Sequence, residues 1–112
     1  ADATHWMESA NEETFARVAA VLKFGTEEEG IAMANDTEFG LSAYFFTRDS
    51  GRVWRVGEAL EYGVVAVNTG AFSYEGAPFG GMKESGIGRE GSSHGVEEYV
   101  EIKYLCIDGI DG

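Results

Sequence analysis

Three short apolar runs, separated by stretches with helical spacing, constrain the fold of this chain more than any other feature. The runs cover residues 18–24, 41–47 and 64–68, and each is rich in β-branched or aromatic side chains. A continuous apolar run is typical of a strand buried on both faces, and parallel strands need helical crossovers between them. The sequence therefore predicts an α/β fold, with a three-layer βαβαβ unit and a mostly parallel sheet over residues 18–68.

Capping signals place the two helices of this unit. Thr26 is the predicted N-cap of the first helix, and Glu29 three residues later completes a capping box, so this helix should cover residues 27–35. Apolar positions recur at helical spacing from Ser50 onward and predict a second, amphipathic helix. Gly63 follows this helix where a left-handed glycine commonly belongs, so we expect it to be the C-cap glycine.

The rest of the chain divides around this unit within a single predicted domain. The parts are a lead-in at residues 1–17, the βαβαβ unit at residues 18–68, a glycine-rich substrate-side loop at residues 69–91, and a short helix with a terminal strand at residues 92–112. Ligands collect beyond the carboxyl ends of parallel strands, which lie here near Thr47 and Asn68. The glycine-rich loop thus begins where a ligand should bind.

The C-terminal part of the chain predicts an exposed pairing edge. Ser92 or Ser93 can cap a short helix through Glu98, and residues 100–107 alternate like a strand. Within this strand Cys106 is expected to pack as a small apolar side chain. No partner strand is evident in the sequence, so we expect pairing with another subunit or with a missing domain, and a homo-oligomer through this strand.

The charge balance limits the classes of partner and compartment. Twenty acidic residues against eight basic ones give a net charge of −12 and a pI near 4.4, which repels phosphate backbones and anionic membrane surfaces. Nucleic acid and membrane partners are therefore not expected. With a single cysteine, no recognisable signal peptide and no apolar stretch near the roughly 20 residues of a membrane helix, we expect a cytoplasmic protein.

Several short motifs lack the context that their chemistry requires. Residues 86–91 read G-x-G-x-x-G, but a dinucleotide fingerprint needs its first glycine directly after a strand, and a long loop intervenes here. Lys83 lacks the Gly-Lys-Ser/Thr order of a phosphate loop. His5 and His94 are too few to form a metal site with Cys106, so no metal is predicted. Ser73 has no His–Asp partnership visible in the sequence, and no basic cluster adjoins Cys106, so no catalytic residue is assigned.

Five segments form a recognisable series, in order and at compatible spacing. They are Glu-Glu-Thr-Phe at residues 12–15, Asn-Asp-Thr-Glu-Phe-Gly-Leu at residues 35–41, Val-Asn-Thr-Gly at residues 67–70, the run at residues 77–91, and Glu-Ile-Lys-Tyr at residues 101–104. The series resembles the C-terminal part of the catalytic domain of NAD(P)-dependent aldehyde dehydrogenases. Within that family it is most similar to the succinate-semialdehyde dehydrogenases.

The resemblance implies a parent reaction and roles for four residues. The reaction would be oxidation of succinate semialdehyde or a similar small aldehyde to the acid, by thiolate attack, hydride transfer to NAD or NADP, and hydrolysis. Glu13 would hydrogen-bond the nicotinamide ribose, and Phe15 would pack near the ribose and nicotinamide. Phe79 would line the aldehyde tunnel, and Ser73 would bind the distal carboxylate of a semialdehyde. The family's catalytic cysteine, oxyanion-hole asparagine, general-base glutamate and dinucleotide domain have no counterpart in this sequence.

One departure from the family pattern bears on the cofactor side. Residues 16–17 are Ala-Arg where the family usually has Gly-Pro, which removes a fixed φ and adds a bulky cation next to Glu13 and Phe15. Our first hypothesis is a C-terminal dehydrogenase fragment that is inactive and binds no cofactor on its own. The alternative is an autonomous oligomerising or ligand-binding module that reuses the fold without catalysis. A small enzyme with another nucleophile is a third hypothesis.

Overall fold

Short strands and two α-helices make up the regular structure of the chain as far as it is described. A computed structural model describes Glu12, Arg17 and residues 19–110. In chain order, the elements of these residues are α1 (Glu27–Asn35), β1 (Phe39–Gly40), β2 (Ser42–Phe45), α2 (Ser50–Ala59), β3 (Val64–Val67), β4 (Met82–Lys83) and a 3₁₀ helix (His94–Tyr99).

Helix α1 begins and ends where its local signals predict. Thr26 Oγ1 accepts a hydrogen bond from Glu29 N at 3.2 Å, and the Glu29 carboxylate accepts one from Gly25 N at 2.7 Å. The return bond of the capping box therefore reaches one residue further back than the N-cap itself. The predicted range, residues 27–35, is confirmed.

Helix α2 begins at Ser50, as predicted, and contacts α1 through charged side chains. The Asp49 carboxylate caps α2 by accepting a hydrogen bond from Arg52 N at 3.1 Å. The Nε atoms of Arg52 and Arg55 donate to the Glu27 carboxylate at 2.5 and 3.0 Å. The hydrogen bonds from Arg55 and then from Arg52 lower the pKa of Glu27 below its ordinary value.

Gly63 serves the fold in a different way from the one predicted. Helix α2 ends at Ala59, its C-cap Leu60 has an extended backbone, and Gly63 is not among the glycines with positive φ. The prediction that Gly63 is a left-handed C-cap is therefore wrong. A Cβ atom at Gly63 would lie 1.8 Å from the carbonyl oxygen of Gly80, so the position requires glycine because another backbone approaches it.

Asn35 connects the C-terminal ends of the two α-helices. Its Nδ2 donates to Ala59 O at 2.8 Å, and its Oδ1 accepts from Glu61 N at 2.9 Å. Close by, the Tyr62 hydroxyl donates to Ala34 O at 2.6 Å. The last carbonyls of a helix have no partner within it, so these bonds satisfy helix ends while fixing α1 against α2.

The parallel pair of β2 and β3 confirms the central part of the predicted unit. Ser42 lies opposite Val64, Phe45 lies opposite Val67, and α2 is the crossover between the two strands. The apolar core around this unit is small. Its buried members among the described residues are Val56, Leu60 and Ala66.

The first predicted strand is wrong within the described residues. Residues 19–24 belong to no strand, and the side chains of Val21 and Phe24 are 71% and 62% exposed. An apolar run becomes a strand only where a neighbouring edge pairs with it and other elements cover its side chains. The chain is therefore α/β, but the predicted βαβαβ unit is reduced here to the strand–helix–strand of residues 42–67.

The glycine-rich loop, residues 69–91, contains pairing that the sequence pattern did not predict. Strand β4 pairs antiparallel with β1, and Phe39 lies opposite Lys83. Phe79 N donates to Glu90 O at 2.9 Å, and Glu90 N donates to Phe79 O at 2.7 Å. These bonds fold the loop back on itself and fix Phe79 at its base.

A 3₁₀ helix follows the loop. It covers His94–Tyr99, close to the short helix predicted after Ser92 or Ser93. Ser92 Oγ accepts a hydrogen bond from His94 N at 3.2 Å, whereas Ser93 makes no capping bond with its side chain.

The predicted terminal strand is absent from this chain as described. Residues 100–110 have no regular structure and are all exposed. Cys106 is exposed as well, so the prediction that it packs as an apolar residue is wrong. A strand needs a paired edge, and no described strand of the same chain pairs with this segment. Pairing with a second subunit stays a prediction.

Candidate substrate-side site

Asn68 joins the carboxyl ends of the two parallel strands. Its Oδ1 accepts a hydrogen bond from Thr47 N, and its Nδ2 donates to Thr47 O, both at 2.8 Å. Its φ is 58°, a left-handed conformation that asparagine adopts more readily than most residues with a side chain. The two parallel strands end at Phe45 and Val67, so the predicted position of their carboxyl ends, near Thr47 and Asn68, is confirmed. Because the Thr47 backbone uses both polar groups of the amide, Asn68 sets the direction in which the chain enters the loop.

An open cleft of about 710 Å³ lies along the glycine-rich loop. Ser73 and Phe79, the two residues expected on the substrate side, both line it. The rest of its lining comes from Val64 in β3 and from residues 70–72, 74–75, 77–78 and 90–91. The structure thus brings together two residues that the sequence places six positions apart.

Three aromatic rings form one wall beside this cleft. The rings of Phe72 and Phe79 are stacked, with centroids 6.3 Å apart and 15° between their planes. The ring of Tyr44, in β2, lies 5.6 Å from that of Phe72 in a tilted arrangement. Aromatic pairs at such separations are favourable, so the wall connects the loop to the sheet. The Phe79 side chain remains 40% exposed and can contact a further apolar group.

The polar character of the cleft is acidic. Ser73 is exposed, and within the described residues its hydroxyl has no hydrogen-bond partner. The charged side chains that line the cleft are Glu75 and Glu90. Arginine and lysine are absent from this lining, so it offers an anionic ligand the hydroxyl donors of Ser73 and Tyr74 and no positively charged side chain.

Two cations that the sequence reasoning did not assign hold the backbone of the loop. Arg89 Nη1 donates to Gly81 O at 2.8 Å and to Gly88 O at 2.9 Å. Lys83 Nζ donates to carbonyls at the end of α1. A glycine-rich backbone has many carbonyl oxygens and few side-chain donors. An isolated lysine or arginine inside such a segment is therefore the sequence feature that could have indicated these two roles.

The remaining expectations lie partly outside the described residues. Glu13 and Phe15, expected on the cofactor side, are outside them, while Glu12 and Arg17 nearby are exposed. Among the described residues, no group of three or more histidine, cysteine, aspartate or glutamate side chains could hold a metal ion. The same residues include no helix that is long and apolar enough to cross a membrane.

Comparisons with known proteins give a consistent match over nearly the whole chain. The model of the aldehyde dehydrogenase family matches residues 1–105. The chain is 58% identical over 110 residues to the succinate semialdehyde dehydrogenase of Acinetobacter baylyi, covering 98% of this chain and 23% of that protein. It is 56% identical over 110 residues to the 3-sulfolactaldehyde dehydrogenase of Pseudomonas putida, with the same coverages of 98% and 23%.

The structural comparison agrees with the sequence comparison. An NADP-dependent enzyme of E. coli, known from its crystal structure, superposes with a TM-score of 0.91 at 58% identity, covering 95% of this chain and 22% of that one. The chain therefore spans less than a quarter of the length of each of these relatives.

Proposed function

The chain belongs to the aldehyde dehydrogenase family, and on this premise we propose that it supplies the substrate-side wall of an NAD(P)-dependent semialdehyde dehydrogenase. In this proposal it is the C-terminal part of the catalytic domain and has no activity alone. The observation that carries the proposal is the cleft on which Ser73 and Phe79 meet. These are the positions to which the family resemblance gives substrate roles.

The roles follow from the chemistry of the two side chains. The Phe72 and Phe79 rings form an apolar surface that can hold the carbon chain of an aldehyde and exclude water from it. The Ser73 hydroxyl, which has no partner among the described residues, can donate a hydrogen bond to an anionic group at the far end of the substrate. Because Glu75 and Glu90 are the charged side chains on the lining, the cation that such a substrate needs would come from outside this lining.

The proposed substrate class is a small aldehyde with a distal anionic group, with succinate semialdehyde as the first member to test. Two relatives of nearly equal identity, 58% and 56%, carry the names of different substrates, succinate semialdehyde and 3-sulfolactaldehyde. Their common chemistry is an aldehyde with a carboxylate or sulfonate some atoms away. A neutral hydroxyl such as that of Ser73 can donate to either anion.

The cofactor of the parent enzyme is proposed to be NAD or NADP, which would accept the hydride. Glu13 would accept a hydrogen bond from the nicotinamide ribose and Phe15 would pack beside it. The described residues offer no site for the pyrophosphate, because residues 86–91 follow the turn after β4 and precede a six-residue 3₁₀ helix. A dinucleotide fingerprint requires a strand before its glycines and a full helix after them. We therefore expect no cofactor binding by the chain in isolation.

The proposed inactivity of the chain rests on its missing nucleophile. Cys106 is exposed in the irregular C-terminal segment, and a reactive thiolate normally needs a neighbouring positive charge or helix N-terminus. Ser73 has no hydrogen-bonded base among the described residues. Losing the nucleophile of a covalent mechanism removes that pathway instead of slowing it slightly.

The incomplete core supports the proposal that further chain covers these elements. A hollow of about 490 Å³ between α1, α2 and β2 is lined by apolar side chains such as Phe24, Ile31 and Val56. No side chain among the described residues is completely buried. Such surfaces are costly in water, and the rest of a catalytic domain would cover them.

A hybrid enzyme tests the proposal. The parent of the hybrid is the Escherichia coli succinate-semialdehyde dehydrogenase that uses NADP, which is 62% identical to this chain over 98 residues. Its matching segment, 20% of that protein, is replaced by the residues of this chain. The hybrid should reduce NADP with succinate semialdehyde, with kcat/KM within about tenfold of the E. coli enzyme, and the 112-residue chain alone should show no turnover. A folded hybrid without activity, or turnover by the chain alone, would contradict the proposal.

A second candidate function is an autonomous module that oligomerises without catalysis. The exposed apolar side chains of the C-terminal segment favour it, and the clearest are Ile102, Tyr104 and Leu105, which are 101%, 87% and 71% exposed. A second copy could pair with this segment as an added strand, which would give a homo-oligomer. Light scattering on the chain and on a version ending at Tyr99 separates the candidates. A stable oligomer that needs residues 100–112 supports the module, and aggregation or an unfolded monomer contradicts it.

The cellular location also stays a proposal. A cytoplasmic enzyme agrees with a single cysteine and with the acidic surface, since reduced thiols are the rule in that compartment. Fractionation of cells that express the native gene would test it, and recovery from a membrane or secreted fraction would contradict it.

A further inference from the structure

Lys83, in β4, has a backbone conformation that is uncommon for a residue with a long side chain. Its φ is 55°, in the left-handed region. Residues other than glycine, asparagine and aspartate rarely adopt this region, and it persists where surrounding contacts hold it. The contacts of the Lys83 side chain therefore need an explanation.

The Lys83 ammonium makes three polar contacts with two separate parts of the fold. Its Nζ donates to Asn35 O at 2.9 Å and to Thr37 O at 3.1 Å, and it lies 2.7 Å from the Glu61 carboxylate. We call these four residues the Lys83 cluster. Helix α1 has no basic residue in its last turn, so Lys83 supplies from a distant position the positive charge that favours a helix C-terminus.

The backbone on both sides of Lys83 is attached to the same region. Glu84 N donates to Glu38 O at 2.9 Å, and Gly40 N donates to Ser85 Oγ at 2.9 Å. Together with the pairing of β1 and β4, these bonds attach the turn at residues 82–86 to the segment after α1. The side chain is 26% exposed, which protects the cluster partly from water.

This attachment is close to the cleft along the chain. Three residues separate Lys83 from Phe79, so their Cα atoms are four residue steps apart, which span at most about 14 Å. One of them, Gly80, lies against Gly63 so closely that a Cβ at Gly63 would be 1.8 Å from Gly80 O. Phe79 is thus connected to the helical framework through two consecutive points, the contact of Gly63 with Gly80 and the Lys83 cluster.

We propose that Lys83 is a positioning residue that sets the location of Phe79, and hence of the aldehyde-binding wall, by attaching the glycine-rich loop to the end of α1. The positioning of the aldehyde rests on the function proposed above, whereas the attachment of the loop does not. Lys83 would touch neither substrate nor cofactor.

Hydrogen exchange tests the attachment independently of activity. Lys83→Met keeps the length of the side chain but removes its charge and its donors. It should accelerate exchange about tenfold at the amides of Gly40 and Glu84, without changing exchange at Leu60 and Asn68. Arg48→Met is the matched control, because it makes the same change from a cation to methionine at an exposed position outside the Lys83 cluster and should change neither pair of amides.

Hydrogen exchange is measured on the 112-residue chain and on the hybrid enzyme. If the amides of the isolated chain exchange too quickly to measure, the rates in the hybrid enzyme decide. Unchanged exchange at Gly40 and Glu84 would overturn the attachment. Equal acceleration at all four amides would assign Lys83 a general structural role and would overturn the specific claim.

Steady-state kinetics of the hybrid test the positioning. Lys83→Met should raise KM for succinate semialdehyde about tenfold while changing KM for NADP less than about twofold, because only the substrate wall moves. Lys83→Arg should restore most of the loss, since it keeps the charge and several donors. Local acceleration of exchange with unchanged KM for the aldehyde would overturn the positioning role, and an inactive parent hybrid would instead contradict the proposed function.

Discussion

Replacing Gly63 by alanine should displace the glycine-rich loop and damage the site without touching it. The new Cβ would lie 1.8 Å from Gly80 O, 2.7 Å from Gly80 C and 2.8 Å from Gly81 Cα. Contacts under 3.0 Å are essentially unknown for Cβ atoms, and all three neighbours are backbone atoms that cannot rotate away. The loop next to Phe79 must therefore move by more than about 1 Å, a shift that can lower turnover about a hundredfold in a positioned site.

The same clash has a cost in stability. Overpacking a close contact typically costs about 1–3 kcal/mol, and the absence of a flexible neighbour at Gly63 favours the upper end. Urea unfolding of the hybrid enzyme and its kcat/KM for succinate semialdehyde measure both effects. The matched control is Gly57→Ala in α2, where a Cβ would meet nothing within 4 Å and helix propensity should stabilise by up to about 1 kcal/mol.

Comparison of the two variants isolates the contact between Gly63 and Gly80. If Gly63→Ala leaves stability and kcat/KM within experimental error of the unmodified hybrid, the close approach of Gly63 and Gly80 is not a feature of the folded protein. If Gly57→Ala destabilises the protein as much as Gly63→Ala, the stability lost at Gly63 comes from a general effect of replacing glycine by alanine and not from the contact between Gly63 and Gly80.

Three further predictions concern other parts of the structure. Asn68→Ala should destabilise by about 2 kcal/mol in urea unfolding, because two hydrogen bonds to Thr47 are lost. Asn68→Gly should lose only about half as much stability, since glycine tolerates the left-handed φ. Equal losses of stability in the alanine and glycine variants would show that the backbone conformation at residue 68 does not contribute. The pKa of Glu27 in the folded protein is lowered from 4.5. Its ion pairs with Arg52 and Arg55 therefore stabilise the fold fully at pH values above the pKa of Glu27 in the unfolded chain, and this stabilisation is lost as the pH falls through the pKa of Glu27 in the folded protein. The difference in melting temperature between the unmodified protein and Glu27→Gln should therefore be largest near neutral pH and vanish well below pH 4.5, and a constant difference would exclude this pair as its source. Ser73→Ala should raise KM for succinate semialdehyde in the hybrid about tenfold, with little change for a neutral aldehyde of the same length. An equal rise for both aldehydes would remove Ser73 from recognition of the anion.

Local signals predicted the helices well. The range of α1 follows from Thr26 and Glu29, which lie within one turn of each other and determine the helix start without help from distant residues. The apolar run at residues 64–68 became β3 because α2 brings β2 beside it. The family resemblance placed Ser73 and Phe79 on the substrate side, and both line one cleft.

Features that depend on distant contacts could not be predicted in the same way. The run at residues 18–24 looks as much like a strand as β3 does, but a strand also needs a partner edge, which no sequence pattern specifies. Gly63 has the local appearance of a helix cap, whereas its actual constraint comes from Gly80 in the folded loop. Lys83 binds carbonyls 46 and 48 positions away, and such a separation leaves no periodic trace in the sequence.

The measurement that tests the central claim most directly is complementation between two separate chains. The E. coli succinate-semialdehyde dehydrogenase that uses NADP is expressed without the segment that this chain matches, purified, and mixed with the 112-residue chain. We expect that reduction of NADP by succinate semialdehyde appears only in the mixture, rises to a plateau with added chain, and falls about a hundredfold with the Gly63→Ala chain. Formation of a stable complex that never oxidises the aldehyde would contradict the claim that this chain supplies the substrate-side wall.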